Sequence, residues 1–408
     1  MASRSVPSNA RHLRLVLPGE RGSARSAAEV SRRRTIALLL GSTAFLVAGG
    51  LVMVLSASSV SAYAQYGDSF LFFQRQATYA AVGVLGLLLT SRMRYRAWQR
   101  LAVPLLAITI LLLAFVLHPT AGVAAYGSSR WISVGPVTIQ PSEIAKLALV
   151  VFAAMILTLK WGRLHDVAHL ALPLAPVCLV VFGMVMLQPD LGTTVILAGT
   201  VFVLLFVAGV RLWYLLTTAL VSSAVGIALV FSADYRRVRF LSFLNPWADA
   251  TNSGYQLVQS LIALGSGGWM GVGLGASRQK WMYVPNAHTD FIFSIIGEEL
   301  GLLGELAVLV AFGALICGGI RVAMKAPDVF GRLLAAGIVS WLGIQALVNL
   351  GAVTGLLPIT GVPLPFLSYG GSSLVVSLAA VGILLNIARA PTAVTARAAR
   401  PRARRHAA

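Results

Sequence analysis

LGTTVILAGTVFVLLFVAGV, residues 191–210, decides the fold: it runs for twenty residues without a charge. A helix of that length spans ~30 Å, the hydrocarbon thickness of a bilayer. Arg211 follows, and 212–233 is again uncharged. Working outward, uncharged runs recur at 35–67, 101–129 and 333–388. Hydrophobic residues make up 58% of the 408-residue chain and charged residues 11%. Soluble domains carry about 25% charged residues, so a large soluble core is excluded. Strand-length alternation is absent, which argues against an outer-membrane barrel.

Lipid offers the backbone no hydrogen-bond partners, so helix is the expected conformation of each span. The pattern predicts an all-α polytopic membrane protein with ten spans, at about 35–55, 76–91, 101–117, 143–160, 169–187, 191–210, 212–232, 300–320, 333–355 and 372–388. The expected units are a disordered basic tail over 1–34, the membrane domain over 35–388, and a second basic tail over 389–408. No cleavable signal peptide is expected, because the first apolar run follows a polar tail and is itself long enough to span. Cys178 and Cys317 fall inside apolar runs and read as packing residues rather than a disulfide or metal site.

With the N-terminus in the cytoplasm, 24 of the 32 Lys and Arg residues fall on one side. This is the positive-inside pattern, and an even number of spans returns both tails to that side. The net charge of +19 therefore reads as topology plus attraction to anionic headgroups, not as nucleic-acid binding. The longest segment between spans, 233–299, is then extracytoplasmic. Within it YQLVQSLIAL (255–264) suits a short interfacial helix, with Val258, Leu261 and Ile262 apolar. GSGGWMGVGLG (265–275) has six glycines, expected for close backbone approach or a mobile loop. A second outer segment, LLPITGVPLPFLSYGG (356–371), is too rich in Pro and Gly to cross as a helix and reads as re-entrant or capping.

Only 13 residues are acidic, yet PNAHTDFIFSIIGEELGLLGE (285–305) gathers four of them. Asp290 stands before an apolar helix. It reads either as an N-terminal cap or as a general base in a partly dry groove walled by Phe291 and Phe293. His288 reads as a hydrogen-bonding partner or a second acid or base. Glu298, Glu299 and Glu305 are too costly to face lipid and should point into the bundle. In SRWISVGPVTIQPSEIAK (129–146), Glu143 and Lys146 share a helix face. They form either a neutralising pair or, with Arg130 and Trp131, a site for an anionic or sugar headgroup. In LQPDLGTT (187–194), Asp190 reads as a helix cap or a polar lining residue. Arg278 and Lys280 add cations to the outer segment.

These blocks resemble those of the SEDS family (shape, elongation, division and sporulation proteins). They are NPWADATNSGYQ…PNAHTDFIFSIIGEELGLLGE over 245–305, SRWISVGPVTIQPSEIAK, QPDLGTT and LPITGVPLPFLSYGGSS, in the family's order over roughly 35–390. The AHTDFIF form and the NPW…GYQ…QSL block are closer to the division-type branch than to the elongation-type branch; a sporulation paralogue is a third possibility. Asn286 departs from a common LPEAHTD form. The resemblance implies a peptidoglycan glycosyltransferase that polymerises lipid II. It implies a class B penicillin-binding protein and other divisome membrane proteins as partners, and maps the essential catalytic carboxylate to Asp290. The expected substrate-binding set is Arg130, Trp131, Glu143, Lys146, Gln188, Asp190, Arg278, Lys280, His288, Thr289, Ser368 and Tyr369. No protein-built metal site is expected; a divalent cation, Mg or Mn, could assist. A lipid II flippase or transporter, and a non-catalytic divisome scaffold, are the alternatives.

Overall fold

A computed structural model of the chain describes residues 18–118, 123–125, 128–135, 137–164, 167–281, 283–285 and 287–390. The outer parts of the two basic tails and Asn286 lie outside the described residues.

The helices are α1 (Pro18–Tyr66), α2 (Leu71–Arg92), α3 (Tyr95–Leu117), α4 (Pro141–Leu159), α5 (Val167–Leu187), α6 (Leu191–Ala208), α7 (Leu212–Phe231), α8 (Asp234–Leu244), α9 (Tyr255–Ser266), α10 (Ile292–Lys325), α11 (Val329–Val353) and α12 (Gly371–Arg389). Each of the ten expected spans falls on one of them, while α8 and α9 lie in the long segment 233–299. Eight are long and apolar enough to cross a bilayer; α2 and α5 are the expected spans outside that eight, the apolar part of α5 being 171–187. The protein is therefore a multi-pass helical membrane protein.

The middle of the bundle is α4 and α11, with 78% and 72% of their spanning windows buried; α7, at 6%, stands at the rim. Trp341, Leu157, Leu204 and Leu334 are sealed inside. Leu85, Leu111, Leu220 and Val310 are exposed on spanning helices, as lipid-facing apolar side chains must be. Both cysteines are free.

Three expectations change. The stretch 18–34, expected within a disordered tail, belongs to α1. The connection from α3 to α4 holds a three-stranded antiparallel sheet, β1 (Val123–Ala125), β2 (Ser128–Val134) and β3 (Val137–Ile139), with Ile132 opposite Ile139 and Trp131 opposite Val123. And α10 begins at Ile292, eight residues before the expected span. The interfacial face expected for α9 also shifts. Leu257, Val258, Ser260 and Ala263 are buried, and the Ser260 hydroxyl lies 2.7 Å from both Ser294 Oγ and the Val353 carbonyl.

Early α10 contains a break. Gly301 has φ 65° and ψ −165°, which strands backbone groups on both sides of it. The glycine-rich segment satisfies them. The amides of Val272 and Gly273 donate to the carbonyls of Glu298 and Glu299 at 2.9 and 3.1 Å, and those of Leu302 and Leu303 donate to Gly268 and Trp269 at 2.9 and 3.2 Å. A side chain at Gly271 would collide with the Glu299 carbonyl, and one at Gly301 with the backbone of 269–271. The glycines are there because two main chains touch.

Candidate active site

Asp290 is placed by its backbone. It stands one residue before Phe291, the N-cap of α10, so it is not itself the cap residue. The Asn349 amide, near the end of α11, donates to the Asp290 carbonyl and to the Val362 carbonyl, both at 2.8 Å. The Asp290 carboxylate reaches Gly361, where an added Cβ would stand 3.6 Å from Oδ2; φ there is 72°, a conformation glycine adopts at little cost.

Segment 354–370 is re-entrant with respect to the bundle: it leaves α11 and reaches α12 at the same end, with its main chain held between them by helix side chains. Val362, Leu364, Phe366, Leu367 and Ser368 are buried although the segment is neither helix nor strand. Helix side chains hold its backbone: Gln76 donates to the Ser368 carbonyl at 3.1 Å and Gln345 to the Pro363 carbonyl at 2.9 Å. Thr360 and Val362 lie against Gly192 in the first turn of α6. The Gln140 amide, ahead of α4, donates to Ser372 Oγ in the first turn of α12 at 3.0 Å. Thus α2, α4, α6, α10 and α12 all begin at the end of the bundle where α11 finishes and Asp290 sits. Their N-termini give that end a positive character that suits an anionic ligand.

The other expected site residues divide into groups. His288 stacks near Phe72 and Tyr369, with ring centroids 4.8 and 5.5 Å away, and its carbonyl accepts from the Tyr369 amide at 2.8 Å. Burial pushes the His288 imidazole down to about 4, so it is neutral at pH 7. Thr289 is half-buried beside it. The Ser368 hydroxyl accepts from the Leu364 amide at 2.8 Å and shapes the re-entrant turn. Asp190 caps α6, accepting from the Thr193 amide at 3.0 Å and its hydroxyl at 2.8 Å. Arg130, on β2, donates through Nε and Nη2 to the carbonyls of Gln188 and Pro189 at 2.9 and 2.6 Å and locks the turn between α5 and α6. The Gln188 side-chain amide is buried with no hydrogen-bond partner among the described residues. Trp131 is half-buried on the same strand.

Three expected ligands are sealed away instead. Lys146 and Glu143 are each 1% exposed and paired at 2.7 Å, and the Lys146 ammonium also donates to Gln345 Oε1 at 2.8 Å. Lys280, 6% exposed, donates to the Gly275 carbonyl at 2.5 Å and lies 3.6 Å from Glu299, which also accepts from Ser56 at 2.7 Å. An ammonium taken from water needs a carboxylate beside it, and here both have one. Glu298 accepts from the amides of Arg278 and Gln279 at 2.9 and 3.3 Å and from the Ser277 hydroxyl. Arg278 itself is exposed. Among the described residues no three His, Cys, Asp or Glu side chains gather as a metal site.

Sequence reasoning passed over Trp341, Gln345 and Asn349. Their spacing of four puts them on one face of α11, where Gln345 Oε1 also accepts from Trp341 Nε1 at 2.9 Å. Two amides on the inner stripe of an apolar span were the available signal.

A family model described as cell cycle protein, for FtsW, RodA and SpoVE, matches residues 36–393. Stage V sporulation protein E of Bacillus subtilis is 45% identical over 352 residues, 86% of this chain and 96% of that protein. The probable peptidoglycan glycosyltransferase FtsW of Geobacter metallireducens is 45% identical over 359 residues, 88% of this chain and 95% of that protein. Among solved structures, a chain from work on structural coordination of polymerization and crosslinking by a peptidoglycan synthase complex matches with TM-score 0.72 and 33% identity, covering 86% of this chain and 96% of that one. The rod shape determining protein RodA of Thermus thermophilus matches with TM-score 0.64 and 32% identity, covering 86% and 95%.

Proposed function

Because this chain belongs to the cell cycle protein family of FtsW, RodA and SpoVE, we propose that it is a peptidoglycan glycosyltransferase that polymerises lipid II, with Asp290 as general base. The observation that carries the assignment of the base is a half-buried aspartate, held through its backbone carbonyl, at the end of the bundle where five helices begin.

The step is a single displacement. Asp290 accepts the proton of the acceptor sugar's 4-hydroxyl as that oxygen attacks the donor's anomeric carbon. The bond to the lipid diphosphate breaks, and undecaprenyl diphosphate leaves with the electron pair. An α-linked diphosphate becomes a β-glycoside, so one base suffices and no second carboxylate is needed as nucleophile. The departing charge favours the helix N-termini and the guanidinium groups of Arg130 and Arg278. A divalent cation has no cluster of three His, Cys, Asp or Glu ligands among the described residues.

The charge asymmetry supports a cytoplasmic location for both tails and an extracytoplasmic one for Asp290. A transferase on that face has no nucleotide sugar to draw on and needs a donor carrying its own leaving group within the membrane. The synthase complex among the structural relatives couples polymerization to crosslinking, which supports a class B penicillin-binding protein as partner. The many relatives named FtsW support a role in division.

The test is polymerisation of lipid II by the purified chain in liposomes, with and without that transpeptidase. Asp290→Asn should lower the rate by ~10²–10⁴-fold, the usual contribution of a general base, with folding and complex formation intact. Full-rate polymer from Asp290→Asn refutes the base. Headgroup translocation without polymer points to a transporter, and complex formation with neither activity points to a scaffold.

A further inference from the structure

Asn349 is 2% exposed on an apolar spanning helix, and its Oδ1 has no hydrogen-bond partner among the described residues. A side chain present only to fill space there would be cheaper as leucine, since an unsatisfied buried acceptor costs stability. What asparagine supplies is two N–H donors on one rigid plane. They go to two carbonyls from different parts of the chain, Asp290 and Val362, each at 2.8 Å. Those acceptors also fix which amide atom is nitrogen, because an oxygen facing two carbonyls would be repelled.

The two carbonyls flank the short gap in which the Asp290 carboxylate meets Gly361. One turn earlier Gln345 grips Pro363 and the Glu143–Lys146 pair, so α11 holds the re-entrant segment at two successive points. We propose that Asn349 is a positioning residue for glycosyl transfer, setting the Asp290 carboxylate against the 360–362 wall so that it meets the acceptor hydroxyl in line. Asn349 touches no substrate and acts through Asp290; the inference therefore rests on Asp290 being the base.

The experiment measures kcat and KM for lipid II with the full-length chain, alone and with its transpeptidase, alongside thermal unfolding. Asn349→Leu keeps the volume and removes both donors. Misplacement of a reacting group by about 1 Å costs up to ~10²-fold in rate, so kcat per folded molecule should fall by ~10–10²-fold. KM should stay within about threefold, because ground-state binding is untouched. Asn349→Gln keeps both donors on a longer arm and should lose kcat to a smaller degree; it decides the matter if the leucine variant does not fold. Wild-type kcat in the folded variants, or a raised KM with kcat preserved, overturns the inference. Asp290→Asn is run in parallel. If it polymerises at full rate, the base assignment falls and this inference with it. If it is inactive while Asn349→Leu is fully active, the positioning role alone falls.

Discussion

Replacing Lys146 by methionine keeps the length of its stem and removes its ammonium. Glu143, 2.7 Å away and equally buried, then has no counter-charge. Losing one member of a buried ion pair typically costs 3–5 kcal/mol, most of it the penalty of the charge left behind. The lost bond to Gln345 adds less, because Trp341 still donates to the same oxygen. For a chain of this size ~3–5 kcal/mol corresponds to a fall in Tm of ~4–6 °C. Adding Glu143→Gln removes the stranded charge and should recover most of that loss, giving a coupling of ~2–4 kcal/mol in a double-mutant cycle. The assay is thermal unfolding of the purified protein in matched micelles, with polymerisation measured per folded molecule. Lys146→Met should be unstable, and the double variant stable and active. A Lys146→Met protein of unchanged Tm that no longer polymerises would refute it, because the ammonium would then be serving the substrate rather than Glu143.

Gly271→Ala places a methyl group against the Glu299 carbonyl at a residue with φ 75°, and should cost ~2–4 kcal/mol and open 267–283 to proteolysis; Gly265→Ala, where nothing lies within 4 Å, is the control that should change little. His288 has its proton affinity lowered by burial from 6.5 to about 4, so in that pH window the unfolded chain binds a proton that the folded chain refuses. Its contribution to stability is intact above pH 6.5 and declines below it by ~1.4 kcal/mol per pH unit until the folded imidazole titrates near pH 4; His288→Phe, which keeps an aromatic ring, should flatten the slope of Tm between pH 6.5 and 5.

The bundle was legible because lipid demands long uncharged runs, and 191–210 meets that demand without ambiguity. Asp190 was legible as a cap because it stands directly before the apolar run, and Glu143 with Lys146 because three residues of helix bring them together. What escaped was non-local. Glu298 and Glu299 kept the expected span from reaching back over the first turns of α10, since their charge is matched by amides and an ammonium some 20 residues away in the chain. Strands of three residues such as β1 and β3 carry too short a pattern to register. Lys280 looked like a loose cation until the break at Gly301 folded Glu299 onto it. The role of Asn349 depends on Asp290 and Val362 meeting at one point, which spacing along α11 does not reveal.

Segment 354–370 carries a lesson for anyone building chimaeras between relatives. Its main chain is moored by Gln76 on α2 and by Gln345 and Asn349 on α11, so the heritable unit is the segment together with three distant amides. Transplanted alone, it would arrive without its moorings and leave unmatched polar groups buried in the host.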